Sequence, residues 1–271
     1  MKISIFTDEI NSDPLRALEL VNAWDVGAVE VRGLKGGRFP RVEEAELIAL
    51  KDALSDTGVV VSGVSPGLFK CPVNDPKVEV EMNTLLPRAC KWAHMLGTNK
   101  VSIFSFLKSE ELSSEQVVES LVLATKIARE EGCKLLLENE ASCWGGTGRE
   151  TATLLRKVGS PEFKLLWDPG NSARSGSNDP FPGEYEEVKD LIDHVHIKNF
   201  YPDPPQWSLV AEGVVDWHGQ LKALSEDGYR GYLVVETHLR DRPSGRMNLE
   251  GMDALESNSY DNICYVREGL R

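Results

Sequence analysis

Three carboxylates and one imidazole stand at the ends of short apolar runs in the second half of this 271-residue chain. LLLE ends in Glu138, KLLWD in Asp168, DHVHIK carries His196, and YLVVE ends in Glu236. Side chains alternate across a strand, so Leu136 shares a face with Glu138, Leu166 with Asp168, His194 with His196 and Val234 with Glu236. If the first member of each pair fills an interior, its partner points out of the same end. Like charges gathered there repel unless a cation offsets them. A divalent metal ion is the natural compensator. An oxygen-rich donor set with one imidazole suits Mn²⁺ first, with Mg²⁺, Co²⁺ and Zn²⁺ also admitted. Alone, each residue reads as a helix cap or a solvated loop acid; four in register point to a metal centre.

The elements that must position them are legible as an alternation. Short β-branched runs beginning near Lys2, Val26, Val59, Lys100, Lys134, Phe163, Ile192 and Gly231 are separated by stretches of helical period, the pattern of βα units around a parallel sheet. Asp13 before Pro14 and Ser113 or Ser114 before EQVVESL mark helix starts, and Gly58, Gly97 and Gly132 mark helix ends. Eight units without a dividing linker predict one domain, residues 1–271, closed as a (β/α)₈ barrel, whose chemistry gathers at the C-terminal strand ends. Neither GxGxxG nor GxxxxGK[ST] occurs, which removes the usual support for a doubly wound nucleotide-binding sheet.

Composition narrows the partners. With 43 Asp+Glu against 30 Lys+Arg, the net charge of −13 argues against nucleic acid or an anionic membrane surface. Charged residues or glycines interrupt every apolar run before membrane-spanning length, and MKISIFTDEI is too short in its apolar part for a signal-peptide core. Cys71, Cys90, Cys133, Cys143 and Cys264 are scattered, odd in number and never CxxC, which suits a reducing cytoplasm with thiols in core or loops. A homo-oligomer is left open.

The chain resembles the xylose isomerase-like barrels, specifically the sugar phosphate isomerase/epimerase group that includes ketose 3-epimerases. The resemblance rests on LLLENE with Glu138, LLWDPGN with Asp168 and Asn171, HVHIKN with His196 and Lys198, the loop EGVVDW, VVETH with Glu236, FTDEI at the start, and VEVR with Glu30 and Arg32. It implies one divalent ion on Glu138, Asp168, His196 and Glu236, and a small-molecule ketose or keto-sugar substrate, free or phosphorylated. Chelation of a ketose polarises its carbonyl, acidifies the adjacent C–H and stabilises the enediolate. Glu138 and Glu236, three strands apart, are then the catalytic pair: proton removal and return on opposite faces epimerises, and transfer between neighbouring carbons isomerises.

Other residues carry two readings each. Lys198 shares the parity of His196 and either neutralises a substrate oxygen or forms a rim salt bridge. Asn171 and His238 are candidate substrate contacts. Glu140 is a hydroxyl acceptor or a helix-cap acid. Glu9, Glu30 and Arg32 read the remaining hydroxyls of a sugar, or Glu30 and Arg32 pair structurally. His194 is expected one layer below His196, Lys70 faces solvent or an anion, and Trp144 and Trp207 are candidates for an apolar wall over a sugar ring.

Other activities share the fold. Related DNA-repair endonucleases hold three zinc ions through additional histidines; here there are five histidines in all, and Asn171 stands where those enzymes carry His. A lyase using the same enediolate would dehydrate a cyclic keto-polyol or cleave a keto-sugar linkage. A non-catalytic sugar-binding barrel is disfavoured because all four ligands are present.

Overall fold

A computed structural model describes all 271 residues. Eight parallel strands close into a barrel: β1 (Lys2–Phe6), β2 (Ala28–Val31), β3 (Val60–Leu68), β4 (Lys100–Ile103), β5 (Lys134–Glu138), β6 (Phe163–Trp167), β7 (Ile192–Ile197) and β8 (Tyr232–Val235). Each pairs with its neighbour in sequence, and β1 closes the ring against β8. The expected (β/α)₈ barrel is therefore what the chain forms. The starts of β1, β4, β5, β6 and β7 agree with the sequence alternation, and β2, β3 and β8 begin one or two residues later than it suggests.

Local chemistry sets the helix ends. Asp13 Oδ1 accepts the Leu15 N–H at 3.0 Å ahead of the helix Pro14–Ala23. Gln116 Oε1 accepts the Ser113 N–H at 3.0 Å ahead of Ser114–Glu130, half of a capping box. The helix Glu44–Thr57 stops at Gly58, whose φ of 71° is the left-handed conformation that glycine adopts without penalty.

Strand alternation divides the buried residues into two populations. Val29, Val31, Leu135, Leu137, Val195, Leu233 and Val235 belong to one apolar cluster of 56 residues between strands and helices. Leu136, Leu166 and Val234 are equally buried but stand outside that cluster, on the parity that faces the barrel axis. Ser4 and Ser62, also buried, meet there at 2.8 Å. The residues two places after those three apolar ones, Glu138, Asp168 and Glu236, emerge at the C-terminal mouth.

Two short hairpins overhang that mouth. One follows β2 and pairs Gly33–Leu34 with Gly37–Arg38; the other follows β7 and pairs Asn199–Pro202 with Pro205–Ser208. Asn199 braces the second, its Nδ2 donating to the carbonyls of Val210 at 3.1 Å and Val215 at 3.0 Å. All five cysteines are free thiols, four buried and Cys264 partly so. No helix is long and apolar enough to cross a membrane.

The junction between β6 and the helix Gly148–Val158 is a close backbone approach. A Cβ on Gly148 would lie 2.4 Å from Trp167 Cζ3 and 3.1 Å from Glu184 Oε2. Gly148→Ala should destabilise the fold by about 1–3 kcal/mol, the usual scale of overpacking. A urea midpoint equal to that of the parent protein would show instead that Trp167 shifts freely.

Candidate metal centre and active site

The strand ends bring Glu138, Asp168, His196 and Glu236 together, with one donor atom from each within 4.8 Å of all the others. Asp168 and His196 are the floor, 0% and 1% exposed. Glu138 and Glu236 stand above them and line a cavity of about 280 Å³ with Asn171, Lys198, Trp207 and His238. That volume is at the small end of ligand pockets, a space for a small molecule.

Lys198 is the central cation. Its Nζ lies 2.6 Å from Glu236 Oε2, 2.8 Å from Asp168 Oδ2 and 4.0 Å from Glu138 Oε1. Burial works against its charge, but the three carboxylates push its pKa above the usual lysine value. Burial has the opposite consequence for Asp168, whose carboxyl it raises to about 6 against the pull of Lys198. Glu236 is also bound by Arg32 Nη1 at 2.6 Å and lies 3.1 Å from His238 Nε2. Despite burial, Lys198, His238 and Arg32 hold it well below the normal carboxylate range. Glu138 is also lowered: burial opposes ionisation, and His196 and Lys198 favour it.

The donor set fits a metal ion. His196 Nδ1 is buried without a well-directed hydrogen bond, and Asp168 Oδ2 is met only by the Lys198 ammonium at 2.8 Å. Nδ1 faces Glu138 Oε1 at 3.5 Å and Glu236 Oε2 at 3.9 Å, while Nε2 lies 3.3 Å from Glu30 Oε1. Burial disfavours the imidazolium, but Glu30 and Glu138 raise the His196 pKa well above its usual value; a metal ion would displace the Nδ1 proton while Nε2 keeps its proton on Glu30, the arrangement expected of a metal-binding histidine.

Glu30 and Glu9 do not line the cavity. Glu30 is 1% exposed beneath the floor, 2.6 Å from His194 Nε2, so His194 lies below His196 as the strand parity predicts. Burial disfavours the Glu30 charge, but His194 and His196 hold its carboxyl at about 2. The structural Glu30 to Arg32 pair does not form: Arg32 Nε binds Asp8 at 2.9 Å, and its other nitrogens bind Glu236 and Glu9. Glu9 accepts the His238 N–H at 2.7 Å. Although burial disfavours its charge, His238 and Arg32 hold the carboxyl at about 2.

His238 adopts φ of 56°, a left-handed conformation uncommon outside glycine. There its ring faces Trp207, with centroids 4.9 Å apart. Its pKa rises to about 9; burial opposes this, and Glu236 and Glu9 more than compensate. Asn171 Nδ2 donates to Glu138 Oε1 at 3.2 Å and to the Asn139 carbonyl at 2.8 Å. Glu140 is no helix cap: Lys70 lies 3.2 Å and Arg174 3.3 Å from its two oxygens, and Thr147 caps the following helix. Trp207 lines the cavity, whereas Trp144 packs partly buried against the core.

Asn139, Arg38 and Arg174 escaped the sequence reading. Asn139 has outward parity between Glu138 and Glu140, yet it ties β5 to β6 by accepting the Asp168 N–H at 2.9 Å and donating to the Asp168 carbonyl at 2.7 Å. Its only signal was a short polar amide inside LLLENE. Arg38 and Arg174 occupy a hairpin and a short helix, where periodicity gives no direction.

The fold and donor set define a (β/α)₈ barrel with a candidate metal centre at its C-terminal mouth. The profile of the Xylose isomerase-like TIM barrel family matches residues 18–258, and the chain belongs to that family. An Inosose dehydratase from Yersinia enterocolitica is 26% identical over 143 residues, 45% of this chain and 47% of that protein; the match thus spans about half of the relative's length. Among solved structures, D-psicose 3-epimerase from Clostridium cellulolyticum H10 superposes with a TM-score of 0.77 at 17% identity, covering all of both chains. A xylose isomerase-like TIM barrel protein from Mycobacterium smegmatis in complex with magnesium gives 0.73 at 17% identity, covering 100% of this chain and 96% of that one.

Glu30→Gln should weaken binding of a divalent ion about 10- to 100-fold, the usual effect of losing a carboxylate behind a histidine ligand. Calorimetric titration with Mn²⁺ checks it; an unchanged dissociation constant would leave Glu30 a purely structural role.

Proposed function

We propose that the protein is a divalent-metal-dependent isomerase or epimerase of a ketose or related keto-sugar. One observation carries this: Glu138 and Glu236, from strands three apart in the ring, face one small cavity directly above Asp168 and His196. Glu138, Asp168, His196 and Glu236 would hold the ion, with Mn²⁺ favoured and Mg²⁺, Co²⁺ or Zn²⁺ as substitutes. When bound, it supplies Lewis acidity that polarises a substrate carbonyl and stabilises charge on its oxygen.

The chain's own groups then move the proton. Glu138 is bound by an amide and lies near His196, whereas Glu236 is gripped by Arg32, Lys198 and His238. Glu138 is therefore the better proton acceptor, taking hydrogen from the carbon beside the carbonyl. His238, 3.1 Å from Glu236 and protonated at neutral pH, supplies the proton that Glu236 passes to the other face, inverting that centre, while Glu138 gives up its proton to solvent to close the cycle; return of the abstracted proton to the neighbouring carbon exchanges aldose and ketose. Lys198 offers an N–H to the oxygen on which charge collects. Trp207 and His238 form a wall against which a sugar ring packs.

A dehydratase is the second reading, favoured by the named activity of the Yersinia relative and by His238. Held at about 9, that imidazole keeps its proton at neutral pH and could donate it to a departing hydroxyl.

In D₂O, the Mn²⁺-loaded protein should introduce one deuteron at a single carbon of a ketose, seen by mass spectrometry. Loss of one water with no exchanged product recovered would select the dehydratase. Glu138→Gln and Glu236→Gln should each slow turnover at least about a hundredfold, the scale of a lost acid–base group. Near-normal rates in both would remove the pair from the chemistry.

A further inference from the structure

The wall above the carboxylate floor carries cations that proton transfer does not use. Five Arg and Lys side chains line the cavity against three Glu, although acids outnumber bases 43 to 30 in the whole chain. Arg32 and Lys198 are engaged by the floor. Arg38, Lys70 and Arg174 are left, and Glu140 is the one carboxylate among them, 3.2 Å from Lys70 Nζ and 3.3 Å from Arg174 Nη1. No carboxylate pairs with Arg38; its Nη2 donates to the Ser65 carbonyl at 3.1 Å.

These side chains are held in place. Gly67, at φ of 66°, sits where a Cβ would lie 2.5 Å from Arg38 Nε and 2.7 Å from its Cζ, so the missing side chain makes room for the guanidinium. The Lys70 ammonium lies 4.7 Å from the centre of the Phe104 ring, and the Arg174 guanidinium 5.6 Å from that of Trp207. Lys70 and Arg174 share Glu140 and Arg38 has no carboxylate, so like charge in this wall is left uncompensated and self-repelling. An incoming oxyanion relieves that repulsion, and guanidinium forks match the oxygens of a carboxylate or a phosphate.

We infer that the substrate is an anionic keto-sugar, a ketose bearing a carboxylate or a phosphate remote from its carbonyl, whose oxyanion docks against Arg38, Lys70 and Arg174. This rests on the proton-transfer reading of the floor, which orients the carbonyl end toward Glu138 and Glu236.

Two readouts on the intact Mn²⁺-loaded protein separate the two ideas: calorimetric binding and deuterium uptake. The probes are D-fructose, D-tagatose and D-psicose, their 6-phosphates, D-fructuronate and D-tagaturonate. At least one anionic ketose should bind about tenfold or more tighter than every neutral one, a difference of about 1.4 kcal/mol. Phosphate and uronate arms show which oxyanion is recognised. Arg38→Met and Arg174→Met should each remove most of that preference, and Arg38→Lys should restore part of it. Arg38-dependent binding without deuterium uptake would uphold the docking site and count against the proton-transfer chemistry. Neutral ketoses binding as tightly as all the anionic ones, or Arg variants weakening both classes equally, would overturn the inference.

Discussion

Burying three carboxylates within a few ångströms of one another is the constraint to which the rest of this mouth answers. Unpaired, each would lose several kcal/mol of hydration and repel its neighbours. The structure answers with Lys198 between Asp168 and Glu236, Arg32 on Glu236, and His196 facing all three. Three of the surrounding bases are themselves fixed from behind: Arg32 by Asp8 and Glu9, His196 by Glu30, and His238 by Glu9. Charges therefore alternate outward from the floor in shells, and the acids remain ionised at depths where burial alone would protonate them. Asp168, raised to about 6, shows how narrowly compensation succeeds where Lys198 is the closest cation.

The barrel makes such shells possible because it fixes direction as well as position. Buried Leu136, Leu166 and Val234 face the axis, which aims the residues two places later at the mouth. Four strand ends thereby bring one donor atom each within 4.8 Å of the others. Backbone contacts refine the aim further: Asn139 stitches β5 to β6, and Trp217 Nε1 donates to the Lys198 carbonyl at 3.0 Å. Glu9 accepts the His238 N–H, which steadies the left-handed turn that places that ring beside Trp207.

Periodicity made the barrel and its central donors legible because both follow from strand parity. Glu138, Asp168, His196 and Glu236 each end a run whose alternation is visible, and His194 fell beneath His196 by the same rule. Parity says nothing about depth. Glu9 and Glu30 sit at genuine strand ends, but which end residues reach the cavity and which lie below it depends on the stagger of neighbouring strands, including the register shifts at Val29/Glu30 and Leu165/Leu166. Hairpins and short helices lie outside periodicity altogether. Arg38 enters the site because a two-residue strand after β2 folds back over the mouth, and Arg174 because the helical turn after Asp168 ends above Glu140. The pairing of Glu140 with two cations is likewise a meeting of three separate loops.

The resulting polarity runs one way through the cavity. At the floor, Glu138, Asp168 and Glu236 are matched by Lys198, Arg32 and the protonated His238; around them, Arg38, Lys70 and Arg174 outnumber Glu140. A molecule with an electrophilic carbonyl at one end and an anionic group at the other fits that gradient in a single orientation, because reversal would set its anion against Glu138 and Glu236. Such a gradient selects by penalty as much as by attraction. It also reconciles an acidic chain with an anionic ligand: the net charge of −13 is spread over the exterior and screened within about 8–10 Å at moderate salt, whereas the rim cations act at contact distance inside a walled cavity. Local placement of three side chains therefore outweighs the sign of the whole protein in deciding what the mouth admits.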